Sequence, residues 1–163
     1  MAAAPLTLRP IVPDDFGALA ALWHRGWQIG HADIVPAGLF KFRYIAGFRT
    51  RIERDPTSFL IAERREAMVG FLRIVGAELD QFYVAPDQIG TGVAAPLMRA
   101  AEATLAARGV VQAHLIASVG NDRAVRFYEK NGWTNRGVEM AEVTAGDGTF
   151  SLDVIRFEKT VGG

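Results

Sequence analysis

The sequence predicts a mixed α/β (α+β) domain filling residues 1–163, built on a central, mostly antiparallel sheet flanked by helices. Three observations carry that reading. Strand-like runs at 59–63, 68–75 and 78–84 are joined by so few residues that neighbours must be antiparallel, since a parallel pair needs a crossover of a dozen or more. A glycine-rich turn, Gly90-Thr91-Gly92, leads from the third run into a helical stretch at 93–108. Strand and helix then alternate before two closing strands.

The elements come in this order. Residues 6–9 alternate apolar and polar and read as an opening strand. Pro13-Asp14-Asp15 starts a helix, because proline and acids suit a first turn. Phe16, Leu19, Ala20, Trp23 and Trp27 give that helix its apolar face, and residues 30–36 break it. A second helix is expected at about 39–54, where Phe40, Tyr44, Ile45 and Phe48 recur at helical spacing and Pro56 closes the run. The three antiparallel strands come next, joined by Arg64-Arg65-Glu66 and around Gly76. After the glycine turn and its helix, Gly109 serves as a C-cap. Residues 110–117 form a strand that should run parallel to 78–84, because a crossover helix separates them. A helix at 121–130 ends at Asn131-Gly132, and strands near 133–143 and 150–158 flank Gly146-Asp147-Gly148.

Composition removes several classes of function. Half the residues are apolar and 22% are charged, as in a folded soluble domain. Lys plus Arg and Asp plus Glu number 18 each, which is not the basic footprint of a nucleic-acid binder. No cysteine means no disulfide, no thiolate catalysis and no acyl-cysteine, and three scattered histidines make no metal site. The start lacks a signal-peptide pattern, and no apolar run approaches the ~20 residues that span a bilayer. A cytoplasmic protein with no membrane partner is the expectation.

The glycine turn is the most informative local feature. A helix start presents N–H groups without partners at the positive end of the helix dipole, and glycines let a phosphate approach them. Gly90-Thr91-Gly92-Val93-Ala94-Ala95 even satisfies the dinucleotide fingerprint. Context argues against that reading, which stays as a third hypothesis: the preceding strand sits in an antiparallel meander, and the next one ends His114-Leu115-Ile116-Ala117-Ser118 without the expected acid. No Gly-Lys-Ser/Thr comes after the turn, so a nucleoside-triphosphate loop is also excluded.

Element order and turn together resemble the GNAT superfamily of acyl-CoA-dependent N-acyltransferases. The family signature Gln/Arg-x-x-Gly-x-Gly/Ala corresponds to the stretch Ile89-Gly90-Thr91-Gly92-Val93-Ala94, preceded by Tyr83-Val84-Ala85-Pro86-Asp87. A second pattern, Asn-x-x-Ala-x-x-Phe-Tyr-x-x-x-Gly-Phe/Trp, is met by Asn121, Ala124, Phe127, Tyr128, Gly132 and Trp133. The resemblance runs from about Leu6 to Glu158. One position departs: Ile89 stands where the family prefers Gln or Arg, with Gln88 one place earlier, so the cradle must rely on its backbone.

The resemblance implies a GNAT fold with a splayed parallel strand pair, acetyl-CoA as cosubstrate, no metal, and a small-molecule amine as acceptor. It assigns CoA contacts to Phe82, Tyr83, Val84, Ile89, Gly90, Thr91, Gly92, Val93, Ala94 and Ala95, and to Asn121, Ala124 and Phe127. The Phe82 N–H would polarise the acyl carbonyl, and Tyr128 would protonate the departing thiolate. Glu78, fourteen residues ahead of Gly92, is the candidate base. Asp80 is the second candidate, placed on the same face by strand alternation. Ordered water is the third way to remove the proton. Asn121 suits a helix cap as well as a pantetheine contact. Trp27, His31 and Asp33 are the acceptor candidates, although Trp23 and Trp27 at i, i+4 also describe a packed helix face. His114 reads as a structural mid-strand residue. Acetyl transfer would be direct, with no acyl-enzyme. The competing readings are a non-catalytic acyl-CoA-binding domain and a protein N-terminal or lysine acetyltransferase. Family members often form homodimers.

Overall fold

The computed structural model describes residues 4–31, 44–145 and 148–163. Seven strands form one sheet: β1 (Thr7–Pro10), β2 (Phe59–Arg64), β3 (Ala67–Val75), β4 (Glu78–Val84), β5 (Gln112–Ser118), β6 (Thr134–Ala145) and β7 (Gly148–Thr160). The helices are α1 (Phe16–His31), α2 (Ile45–Arg54), α3 (Ala94–Ala107) and α4 (Asp122–Lys130). Spatial order is β1-β2-β3-β4-β5-β7-β6, and β4 with β5 is the parallel neighbour pair among antiparallel ones.

The expected architecture is therefore present, with boundaries moved by a few residues. Pro13–Asp15 forms a 3₁₀ turn rather than the first turn of α1. Asp15 accepts from the Val12 N–H and holds Arg9 through both guanidinium ends, each bond 2.8 Å. The helix then continues past Gly30 to His31, so the break expected at 30–36 does not begin at Gly30. Only residues 45–54 of the second expected helix are helical within the described residues, Tyr44 being its extended N-cap.

The sheet divides two cores. On one side Leu97, Met98, Ala101 and Leu105 of α3 pack on Leu72, Ile74, Leu79, Leu115 and Phe157, all buried. On the other, Trp23 of α1 meets Phe48, Phe59 and Phe71 with ring centroids 4.7, 5.5 and 5.7 Å away. Burying aromatic rings of this size supplies much of the driving force, roughly 2–3 kcal/mol each.

Two local devices place the site. The β3–β4 register slips by one residue between Arg73 and Ile74: Arg73 faces Gln81 but Ile74 faces Leu79, leaving Asp80 as an extra residue in a bulge. Gly70 of β3 lies so close to β4 that a Cβ there would stand 2.5 Å from the Tyr83 carbonyl oxygen. Neither backbone can give way cheaply. Gly70→Ala is expected to destabilise the fold by about 1–3 kcal/mol through overpacking, read as a lower urea midpoint. An unchanged midpoint would show that β3 and β4 can separate freely here.

Candidate active site

The cleft begins where β4 and β5 part. Their one register pair is Glu78 with His114, fastened by the His114 N–H donating to the Ala77 carbonyl at 3.1 Å. No later pair joins the two strands among the described residues. The Ala85 N–H donates to the Val69 carbonyl at 2.8 Å, and Tyr83 pairs with Phe71. Alternation therefore turns the main-chain groups of Phe82 and Val84 away from β3 and into the gap. A cleft of about 1080 Å³ occupies the gap and continues across the sheet.

One end of the cleft is the glycine turn. Pro86–Gln88 makes a 3₁₀ turn, and the Thr91 hydroxyl donates to the Gln88 carbonyl at 2.5 Å. Gly90 and Gly92 then adopt φ of +81° and +83°, where a side chain is strained, and a Cβ on either would meet nothing within 4 Å. The turn thus opens onto empty space. Among the described residues no acceptor pairs with the N–H groups of Gly90, Gly92, Val93, Ala94 or Ala95. Pro96 comes next as the third residue of α3, a position whose N–H would be orphaned anyway. This convergence of free donors at a helix start fits a phosphate or pyrophosphate. Ile89, Gly90, Gly92, Ala94 and Ala95 line the cleft, whereas the Val93 side chain is wholly buried and only its backbone can take part.

The second wall is α4. Asn121 caps it, its side-chain oxygen accepting from the Ala124 N–H at 3.4 Å. Phe127 stacks on Phe82 of β4 at 5.6 Å, and Tyr128 leans on Phe157 at 5.5 Å. Both α4 aromatics, with Asn121 and Ala124, border the cleft. Burial pushes the Tyr128 hydroxyl up to about 12, so the phenol keeps its proton at neutral pH. It forms no hydrogen bond to another described residue.

The carboxylates face the same cleft from the start of β4. Glu78 is half-buried; desolvation first, and the charge of Asp80 second, raise its pKa above the usual 4.5. His114 opposes that rise, its Nε2 lying 3.7 Å from Glu78 Oε2, and Arg156 and Arg73 do so more weakly. Asp80 is engaged differently. Arg73 holds it at 2.8 Å while also reaching Asp55 at 3.1 Å and the Ser58 hydroxyl at 2.9 Å, and Gln81 donates to it at 3.3 Å. Simple alternation put both carboxylates on one face; the bulge at Asp80 interrupts that alternation, yet both reach the cleft.

The outer wall is α1, brought close by missing side chains. A Cβ on Gly26 would lie 2.5 Å from the Tyr83 ring, and one on Gly30 would lie 3.4 Å from the Asn121 side-chain amide. Trp27 is almost fully buried in the core and offers the cleft only its remaining edge. Arg51 of α2 also lines the cleft, its guanidinium 4.3 Å from the Trp23 ring centroid. The His31 side chain and all of Asp33 lie outside the described residues. Sequence reasoning missed Gly26, Gly30 and Arg51. The glycines carried a signal: two of them, four apart, interrupt a helix on the face of Trp23 and Trp27.

Residues 32–144 match the acetyltransferase (GNAT) domain. An acetyltransferase of Pectobacterium atrosepticum is 30% identical over 134 residues, covering 77% of this chain and 85% of that protein. The chain belongs to the GNAT acetyltransferase family. It is accordingly an enzyme of the acetyltransferase class. A GCN5-related N-acetyltransferase from Rhodopseudomonas palustris superimposes with a TM-score of 0.72 at 25% identity, covering 98% of both chains. The fold also matches spermidine N-acetyltransferase from Vibrio cholerae in complex with CoA and spermine, with a TM-score of 0.70, 18% identity and 95% coverage of each. No helix among the described residues of this GNAT protein is long and apolar enough to cross a membrane.

The electrostatics give a direct test. In Asp80→Asn the charge that helps raise Glu78 is gone and Arg73 is released to act on it. The Glu78 carboxyl, followed by ¹³C NMR, should titrate at lower pH than in the parent protein. A midpoint that stays put or climbs would mean that Asp80 does not act on Glu78.

Proposed function

We propose that this GNAT acetyltransferase moves the acetyl group of acetyl-CoA directly to a small-molecule amine, in the cytoplasm, without an acyl-enzyme and without a metal. The observation that carries the reading is the gap between β4 and β5. It leads from the unpartnered N–H groups of the glycine turn, past the open main-chain groups of Val84 and Phe82, to Tyr128 and Glu78 in one continuous cleft.

Each group then has a task. The N–H groups of Gly90, Gly92, Val93, Ala94 and Ala95 hold the pyrophosphate, with Ile89 contributing backbone only. Gly90, Gly92 and their neighbours Thr91 and Gln88 keep the turn in its open shape. Val84 and Phe82 pair with the pantetheine arm as an absent strand would, and Asn121, Ala124 and Phe127 border its other side. Tyr83, whose ring packs against α1 beside Gly26, fixes the wall between donor and acceptor. The Phe82 N–H polarises the thioester carbonyl; comparable preorganised donors are worth roughly 3–4 kcal/mol.

Glu78 takes the ammonium proton and frees the nitrogen lone pair. Its raised pKa suits a base working near neutrality better than an ordinary carboxylate would. Asp80, neutralised by Arg73, tunes Glu78 rather than replacing it. The amine nitrogen bonds to the carbonyl carbon, the C–S bond breaks, and Tyr128 supplies a proton to the departing sulfur and takes back the second proton that the nitrogen sheds as the amide forms. A phenol at about 12 is a weak acid for this task and gives up its proton only as charge develops on the sulfur beside it. The convergence of Tyr128 and Glu78 favours catalysis over a domain that only binds acyl-CoA. Trp27, His31 and Asp33 remain our acceptor-side candidates. The acceptor half is floored by Ile116, Leu152 and Val154 and walled by α1, a setting that suits a small amine more than an extended protein segment.

An acetyl-CoA consumption screen over amines, polyamines, amino acids and aminoglycosides tests the reading; no turnover with any amine, alongside tight CoA binding, would favour the binding-only domain. Tyr128→Phe should leave CoA affinity unchanged and lower kcat by about 10²-fold; an unchanged kcat would remove it from the reaction. Gly92→Val should abolish CoA binding in calorimetry, because a branched residue is strained at φ +83° and would fill the space before the turn. Retained binding would place the pyrophosphate outside the turn.

A further inference from the structure

We infer that His114 is the proton exit of the acceptor site: it takes from Glu78 the proton that Glu78 takes from the amine, and delivers it to water. This rests on the reading of Glu78 as base. His114 is a positioning residue, acting through Glu78 and not on the substrate.

The reaction requires an exit. An ammonium and a thioester become an amide, a thiol and one free proton. The ammonium starts with three N–H protons; one stays on the amide, one ends on sulfur, and one must leave on every turnover. Glu78 can hold that proton for one cycle only. It is half-buried and lines the cleft, where bound acetyl-CoA and amine would cover it.

The fold places an imidazole behind it. Glu78 and His114 are the one register pair of β4 and β5, so both side chains rise from the same face of neighbouring strands. Nε2 of His114 is 3.7 Å from Glu78 Oε2, a separation that a modest rotation converts to a hydrogen bond. Glu78 lines the cleft and His114 does not, yet the His114 side chain keeps 27% of its surface accessible, so the imidazole opens to solvent outside the space the substrates would fill. The backbone is anchored independently by the His114 N–H bond to Ala77, so the ring is not needed to hold the junction.

Its further surroundings suit a carrier. Across β7 the register partner of His114 is Glu158, whose carboxylate is held by Gln112 at 2.5 Å, Arg156 at 3.1 Å and Arg136 at 3.5 Å. Arg156 first, and Arg136, hold Glu158 below the usual carboxylate range, so it stays ionised and does not trap the proton. Asp80 is occupied by Arg73. The path is then ammonium to Glu78, Glu78 to His114 Nε2, and imidazolium to water; no electron pair moves other than those of the O–H and N–H bonds exchanged.

The test uses the full chain with His114→Gln, His114→Ala, Glu78→Gln and the Glu78→Gln/His114→Gln pair, assayed with tyramine and with spermidine. His114→Gln should lower kcat about 10-fold at unchanged KM for acetyl-CoA, and move the acid limb of the pH profile upward, since the imidazolium that lowers Glu78 is gone. Added imidazole should restore His114→Ala. In the Glu78→Gln background the His114 change should cost nothing further. An unchanged kcat and limb in His114→Gln, no rescue, or an equal cost in the Glu78→Gln background would each overturn the proposal. If Glu78→Gln alone leaves kcat intact, the base assignment itself falls; if only the His114 variants are silent, the exit falls and the base stands. Should neither amine react, ¹³C titration of Glu78 decides: its midpoint must rise in His114→Gln, and no movement refutes the coupling.

Discussion

Everything at the functional end of this protein depends on how briefly β4 and β5 are joined. A parallel pair of seven-residue strands would ordinarily zip along its length and satisfy its main chain internally. Here the ladder stops at Glu78 and His114. The sheet is left with an unfinished seam at its centre, whose edges carry directed donors and acceptors. An exposed sheet edge invites strand addition; an interior seam accepts only something as narrow as a single extended chain. The pantetheine arm of CoA has that form.

The seam stays open because other contacts hold its banks apart. β4 is bound to β3 along its whole length and stitched to α1 through the Phe71, Tyr83 and Trp23 rings. β5 is bound to β7 from Gln112 to Ser118 and packs under α3 and α4. The core beneath α3 spans both banks, through Ile74 and Leu79 on one and Leu115 and Phe157 on the other, so closing the seam would mean repacking it. The Arg73 cluster adds a polar rivet on the β4 side, tying Asp80 to Asp55 and Ser58 at the foot of β2. That rivet also sets the charge next to Glu78, so the same contacts that hold the bank tune the carboxylate.

Much of this was legible in the residues. The bounds expected for β4 were met to the residue, the Asn121 cap formed as its side chain predicted, and the glycine turn took the left-handed conformations that its glycines permit. The features that escaped depend on neighbours distant in sequence. Period-two alternation could not reveal the bulge at Asp80, because an extra residue is defined only against the partner strand. Gly30 suggested a chain break and Gly26 carried no reading, but both serve close approach, to Asn121 and Tyr83, residues more than fifty positions away. His114 looked like a strand filler because its partner Glu78 adjoins it only across the parallel junction. Trp27 divides its surface between core and cleft, which no one-dimensional pattern expresses.

The two glycines of α1 also set the mechanical character of the outer wall. Each lowers intrinsic helix propensity by about 1 kcal/mol relative to alanine, so the last turns of α1 hold their shape by leaning on Tyr83 and Asn121 more than by their own backbone preference. The partition beside the cleft is thin and borrowed in its stiffness. A change at Tyr83 or Asn121 therefore bears directly on the helix packed against them.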